Sequence, residues 1–367
     1  MIRCFMTKEF KQVVITLTML LLLACSGSSD NNVEQLVIEK SVLDSSVVFI
    51  KDTIVIGDVL PRAKAFYYHN DSMVIILNRK SESGSVLDFY NVKTCKIEKS
   101  FSTYGKARDE VLLAGLHVGN GKALLMDYNG CKIFRLNIDS LLNDVLYSCE
   151  IIKNDYFQIS SLCEFNNKIV AENPLTFCDV SEDIIQDCGP KVVNLEELPA
   201  LLEKKHKYNT LNVASGGELI ASKDENALVY VPFGQSVVDM YDKDLKFYKR
   251  IVGPYELRSK YYISEENEVI YSKKTPYAYT QACCNDKFFY LYFVGDYLCF
   301  NEDAMDDGHG GFVLKFDWNG NFKKSYYVDR FVYSLTCCST FVDNDVLYAT
   351  VNDDRGMPML IRLMGDE

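Results

Sequence analysis

The stretch from Val111 to Asp139, VLLAGLHVGNGKALLMDYNGCKIFRLNID, limits what this chain can fold into more than any other. Leu112–His117 is an apolar run closed by Gly119-Asn120-Gly121, and Lys122–Asp127 is a second closed by Asn129-Gly130. Lys132–Ile138 is a third, and it alternates in character. Runs this short between Asn-Gly and Gly-Asn pairs read as strands, because those pairs supply the positive φ angles of tight hairpins. The stretch is therefore an up-and-down antiparallel unit.

Weaker copies recur. The first unit covers about 63–104, the second is the stretch above extended by Val145–Ile152, and the third opens with Phe157–Phe165 and Lys168–Glu172. The fourth spans about 211–252 and the fifth about 277–328. The sixth has only three runs, Phe331–Phe341, Val346–Val351 and Pro358–Met364. Units of roughly 40–50 residues, each a strand meander, predict an all-β protein: a six-bladed β-propeller of four-stranded antiparallel blades. An orphan strand at Val47–Ile56 precedes the first unit. Pairing it with the short last unit closes the ring and removes exposed sheet edges. A short helix is expected inside the third blade at 194–206, where Asn194 is a cap, Glu196 and Glu197 sit in the first turn, and leucines share one face.

The N-terminus has a different character. Arg3, Lys8 and Lys11 precede the apolar run Val13–Leu23, which is shorter than the roughly 20 residues of a membrane span. Leu22-Leu23-Ala24-Cys25 and a Ser/Asp/Asn-rich stretch follow. This pattern predicts a lipoprotein signal over residues 1–24, acylation of Cys25, a polar tether over 25–44 and a propeller over 45–364. The expected partner is a membrane, through the lipid on Cys25, and the expected location is the cell envelope at the outer membrane, with its periplasmic or surface face open.

A net charge of −12 argues against a nucleic-acid partner, since phosphate contacts need clustered Lys and Arg. Thirteen cysteines include no CxxC spacing, so neither a zinc site nor a redox motif is indicated. Cys283-Cys284 and Cys337-Cys338 fall in strand-like runs, and one cysteine of each pair is expected on each side of its blade as a reduced packing residue. Only four histidines are present, and no GxSxG, HExxH or Walker motif. The acidic, Gly-rich segment 301–311 offers oxygens for calcium but not at EF-hand spacing, and no metal or cofactor is assigned.

Several phrases resemble the TolB-like six-bladed propeller lipoproteins of Bacteroidetes. The joint Gly105-Lys106-Ala107-Arg108-Asp109-Glu110 shares the first Gly, the basic residue and the Glu of that family's Gly-basic-Gly-Pro-Gly-Glu, without its central Gly-Pro-Gly. Gly253-Pro254-Tyr255-Glu256 is a partial echo, and Phe289–Val294 with Phe312–Gly320 resembles the family's fifth blade. The resemblance implies fold and envelope location and carries no activity. The residues expected to bind at inter-blade joints are Lys106, Arg108 and Glu110 on one joint and Arg250, Glu256 and Arg258 around another. The function expected is a membrane-anchored scaffold for an envelope protein, a small molecule or a glycan, and more an adaptor than an enzyme. Two alternatives stand beside it: a metal-dependent hydrolase or lyase at the central channel, and a structural subunit of an outer-membrane complex.

Overall fold

A computed structural model of the chain describes residues 33–48, 50–54, 63–70, 72–80, 84–119, 122–143, 147–153, 161–172, 180–181, 184–185, 192–197, 217–255, 257, 261–263, 269–271, 277–296, 310–337, 346–353 and 358–364. The chain divides into Met1–Glu34 and Gln35–Glu367. The first unit is described only at Val33 and Glu34, so the predicted signal, Cys25 and most of the tether lie outside the described residues. No described helix is long and apolar enough to cross a membrane.

The second unit is an all-β propeller of small antiparallel sheets. The first blade is Ala63–Tyr68, Met73–Asn78, Ser85–Asn91 and Lys96–Thr103, and the second is Ala114–Gly119, Lys122–Asp127, Lys132–Asn137 and Glu150–Lys153. The third sheet has three strands among the described residues, Leu162–Phe165, Lys168–Glu172 and Val192–Asn194. Gly217–Ala221, Ala227–Pro232, Val237–Asp242 and Phe247–Val252 form the fourth. Tyr277–Cys284, Phe288–Asp296, Gly311–Asp317 and Phe322–Val328 form the fifth. Ser334–Cys337, Val346–Asn352 and Pro358–Met364 form the sixth, and Ile50–Ile54 adds its outermost strand.

One expectation is corrected here and another is not confirmed. Six four-stranded blades were expected and five are present, because the third sheet stops at three strands among the described residues. Of the helix predicted over 194–206, the described residues show a single 3-10 turn at Leu195–Glu197. Leu195 is buried against the second blade, so its apolar side serves as the wall of a sheet. Residues 198–206 lie outside the described residues.

The ring is held by apolar seams, one between each sheet and the next. Ile75 and Phe89 meet Leu125 and Phe134 between the first and second blades. Leu124 and Ile133 meet Leu162 and Ala171 at the next seam, and Phe165 meets Leu219 and Leu228 at the third. Val229 and Met240 meet Phe289 and Phe316, Tyr290 meets Leu347, and Leu360 returns to Val74. A blade's middle strands are thus covered on both faces, which is why Met73–Asn78 and Ala227–Pro232 are buried throughout and read as unbroken apolar runs. Each large side chain so covered contributes roughly 1.5–3 kcal/mol of transfer free energy.

One of two turns differs from its reading in the sequence. At Asn129-Gly130 the left-handed residue is Cys131, with φ 52°, because four residues separate the paired Asp127 and Lys132 and a longer loop places its αL residue last. The fifth blade's turn puts Gly320 at φ 72°, with Asp317 Oδ1 accepting from the amides of Asn319 and Asn321.

The segment before the first blade crosses the outer rims of three sheets. From Gln35 on, the strand Glu34–Val37 lies along Phe247–Val252 of the fourth blade, and Ile38 N donates to Val252 O at 2.7 Å. A Cβ on Gly253 would stand 2.3 Å from Ile38 O, so only glycine permits that approach. After the helical turn Ser41–Asp44, Val47–Val48 pairs in parallel with Tyr326 and Tyr327 of the fifth blade. Ile50–Ile54 then pairs antiparallel with Leu360–Met364 of the sixth. The predicted closing strand therefore does add the sixth sheet's outer edge, but its first two residues belong to the neighbouring blade.

Candidate binding site in the central channel

The first strand of each sheet is its innermost, and these strands stand side by side around a central channel. Their lateral edges carry backbone groups that no ladder bond uses, so side chains of the next strand take them over. Ser161 Oγ accepts from Leu219 N at 3.0 Å, Glu218 Oε2 accepts from Ala282 N at 2.6 Å, and the Tyr67 hydroxyl donates to Leu116 O at 3.2 Å.

At the C-terminal ends of the inner strands the channel opens into a cavity of about 620 Å³. Its wall combines apolar positions such as Leu116, Ile220 and Leu335 with charged ones. The charges are mostly matched. Lys122 Nζ lies 2.6 Å from Glu164 Oε1, and Glu164 Oε2 also accepts from Arg135 Nε at 3.3 Å. Lys223 Nζ lies 2.6 Å from Asp286 Oδ2, and His69 Nε2 lies 3.1 Å from Asp139 Oδ1.

Glu218 and His117 differ from these pairs. Burial pushes the Glu218 carboxyl up to about 8, against the smaller effect of the Ala282 N–H. Burial lowers His117 to about 4, so its imidazole is neutral at pH 7. Cys283 and Cys284 also belong to the cavity wall, and burial raises both thiols. Cys283 packs in the seam toward the sixth sheet and Cys284 in the seam toward the fourth, which is the split between faces that strand geometry predicts. Neither they nor Cys337 form a disulfide among the described residues, and Cys338 lies outside the described residues.

Of the residues predicted to bind, Lys106, Arg108, Glu110 and Arg250 do not line this cavity. The joint 105–110 leads into the start of Ala114–Gly119, whereas the cavity touches the end of that strand. Lys106 and Arg108 are exposed there. Glu110 is part of the loop's own construction: its Oε2 accepts from Ala107 N at 2.7 Å and lies where a Cβ on residue 105 would be. Lys132 Nζ closes the loop from the other side, donating to Ala107 O and Glu110 O at 2.9 and 2.7 Å. Arg250 pairs with the buried Asp239 through two bonds of 2.7 and 2.9 Å. Glu256 and Arg258 lie outside the described residues, as do His206, His309 and residues 301–309. No group of three or more His, Cys, Asp or Glu side chains able to hold a metal occurs among the described residues.

Glu218 was not singled out from the sequence, although a signal was present. It is the one charged residue in Gly217-Glu218-Leu219-Ile220-Ala221, a strand otherwise made of small and apolar residues.

No protein-family profile matches the chain, and no curated protein does. Solved structures do. A protein of Bacteroides fragilis NCTC 9343 assigned as exported superposes with a TM-score of 0.52 at 9% identity, over 91% of this chain and 99% of that one. A member of the DUF4221 family from Bacteroides vulgatus ATCC 8482 superposes with a TM-score of 0.52 at 13% identity, over 87% of this chain and 96% of that one. At such identities the likeness is one of fold, and what it establishes is that this chain shares the propeller-like architecture of these Bacteroides proteins.

Proposed function

We propose that this protein is an exported, envelope-located binding scaffold that takes a small ligand in the central cavity. The observation that carries the reading is the cavity itself: about 620 Å³, walled by five blades and the third sheet, with apolar positions beside a few polar groups. That is the size and character of a small-molecule site. The neighbour from Bacteroides fragilis is assigned as exported, which supports an envelope location for this chain. The leader pattern ending at Cys25 and the resemblance to TolB-like lipoproteins support a lipid anchor at the outer membrane.

Two experiments test the reading. Substituting Gly119, a residue of the cavity wall where an added Cβ would meet only His117 Nε2 at 3.5 Å, by Trp is designed to fill it. Ligands that raise the melting temperature of the parent protein in a small-molecule screen are expected to have no effect on that variant. A screen in which filling the cavity changes no hit counts against the site. For the anchor, Cys25→Ala is expected to release the protein from membranes, and retention after a high-salt wash would remove the lipoprotein part of the proposal.

A further inference from the structure

The geometry points to an organic cation as the ligand of the central cavity, held by the carboxylate of Glu218; this rests on the cavity being a binding site. Glu218 stands on an inner strand and lines the cavity. One of its oxygens, Oε2, is fixed by Ala282 N at 2.6 Å, which orients the carboxyl group. Among the described residues Oε1 has no hydrogen-bond partner and Glu218 forms no ion pair, although the cavity wall holds two lysines. Those lysines are taken: Lys122 by Glu164 and Lys223 by Asp286, each at 2.6 Å. The built-in cations are therefore neutralised and a carboxylate is left over. An anion would meet no available positive charge, whereas a cation would meet Glu218 in a setting of low dielectric. Tyr67 stands on the same wall, its phenol raised by burial and, to a smaller extent, by the charge of Glu218, so an aromatic ring is also at hand for a cation. Leu116, Ile220 and Leu335 give an apolar surface for the ligand's carbon skeleton.

With a carboxyl near 8, about a tenth of Glu218 is ionised at pH 7 and about nine tenths at pH 9. Other titratable groups face the cavity from the neighbouring elements. His117 is held down near 4, and Tyr67 is pushed up by burial. Cys283 and Cys284 on the adjoining strand are pushed up as well. Cys337 and Glu225 also face the cavity. The Lys122–Glu164, Lys223–Asp286 and His69–Asp139 pairs stand at the same wall. After burial, the charge of Glu218 also raises Tyr67, Cys283 and Cys284, so Glu218→Gln removes that influence together with its own titration.

The test is calorimetric, on the purified full-length chain, with choline and its neutral carbon isostere 3,3-dimethylbutan-1-ol as probes. Choline is charged at every pH used, so titration belongs to the protein. Choline is expected to bind about tenfold more tightly at pH 9 than at pH 7 and to displace a proton at pH 7, while the isostere binds equally at both. Glu218→Gln, which keeps an acceptor for Ala282 N and so preserves the fold, is expected to lose both the preference for choline and its pH dependence. Binding of the isostere at least as tight as that of choline would overturn the cation assignment and leave the cavity standing as a binding site. A pH rise that persists in Glu218→Gln would overturn the role of Glu218. Failure of both probes to bind would overturn the cation site and the cavity reading together.

Discussion

Tyr230 donates its hydroxyl to Glu172 Oε1 at 2.5 Å, joining the fourth blade to the third sheet inside the apolar wall that they share. Both side chains are buried, at 3% and 5% exposure. Burial and the charge of Glu172 hold the phenol well above its usual range, so the proton stays on the tyrosine. Tyr230→Phe removes this donor while keeping the ring. It is expected to lower stability by about 1–3 kcal/mol, the range for stripping a partner from a buried polar group. Urea unfolding of the two proteins checks this, and coincident curves would mean that Glu172 is satisfied without Tyr230.

Glu218 and His117 should shape stability in opposite pH directions. The folded-state carboxyl of Glu218 is raised to about 8, so the unfolded chain loses this proton first. Its contribution is full at acid pH and falls away as pH climbs from about 4.5 to about 8. His117 is lowered to about 4, so the unfolded chain gains this proton first. Its contribution is full above about 6.5 and is lost as pH falls toward 4. Glu218→Gln is expected to flatten the alkaline side of a melting-temperature profile and His117→Gln the acid side, each by an amount on the order of 1–3 kcal/mol after allowance for channel solvent. Profiles parallel to that of the parent would contradict both assignments.

The joint before the second blade is latched by Glu110 on Ala107 N. Glu110→Ala should cost about 1 kcal/mol, and Glu110→Gln, which keeps an acceptor, should cost less. Gly105→Ala should cost about as much as Glu110→Ala, since its new carbon would sit 2.0 Å from Glu110 Oε2 and turn that carboxylate off Ala107 N. Thermal denaturation ranks the three. Equal behaviour of the alanine and glutamine variants at position 110 would remove the latch.

Deleting residues 47–54 removes the sixth sheet's outer strand and the short parallel pair on the fifth. The expected result is one cooperative transition at a lower temperature, because a newly exposed edge weakens the ring as a unit. An unchanged midpoint would show that three strands suffice for the sixth sheet.

Thiol labelling should follow burial. Cys95 is exposed and is expected to react first with an alkylating reagent in the native protein. Cys163 and Cys283 are buried, and burial raises both thiols, so they should react only after denaturant is added. Mass mapping of the labelled peptides gives the order, and early labelling of Cys283 would place it in open solvent.

The all-β repeat was legible because blades are local objects. Lys122–Asp127 and Lys132–Asn137 pair across a turn of four residues, so the chain near Asn129 carries nearly all the information needed. The third sheet was harder to read, since its third strand at Val192–Asn194 pairs with Lys168–Glu172 across some twenty residues that follow no strand period. The site was hardest. Glu218, Tyr67 and His117 belong to three different sheets and meet only because the ring closes. Spacing along the chain cannot express that. The charged joints that do stand out in sequence, at Glu110 and Arg250, turn inward to satisfy a loop amide and a buried aspartate.

The segment that runs from Gln35 across the rims of the fourth, fifth and sixth sheets has a mechanical meaning. A pull applied at its N-terminal side does not reach the inner strands directly. It loads the strand pairing that ends at Val37 and the hydrogen bond from Ile38 to Val252 first, then the parallel pair at Val47–Val48, then the five-residue ladder at Ile50–Ile54. The load is shed at three attachment points in turn, and the channel stays shielded until the last of them gives way. The rim segment is in effect a strain relief, allowing a chain held at one end to be tugged without distorting its interior.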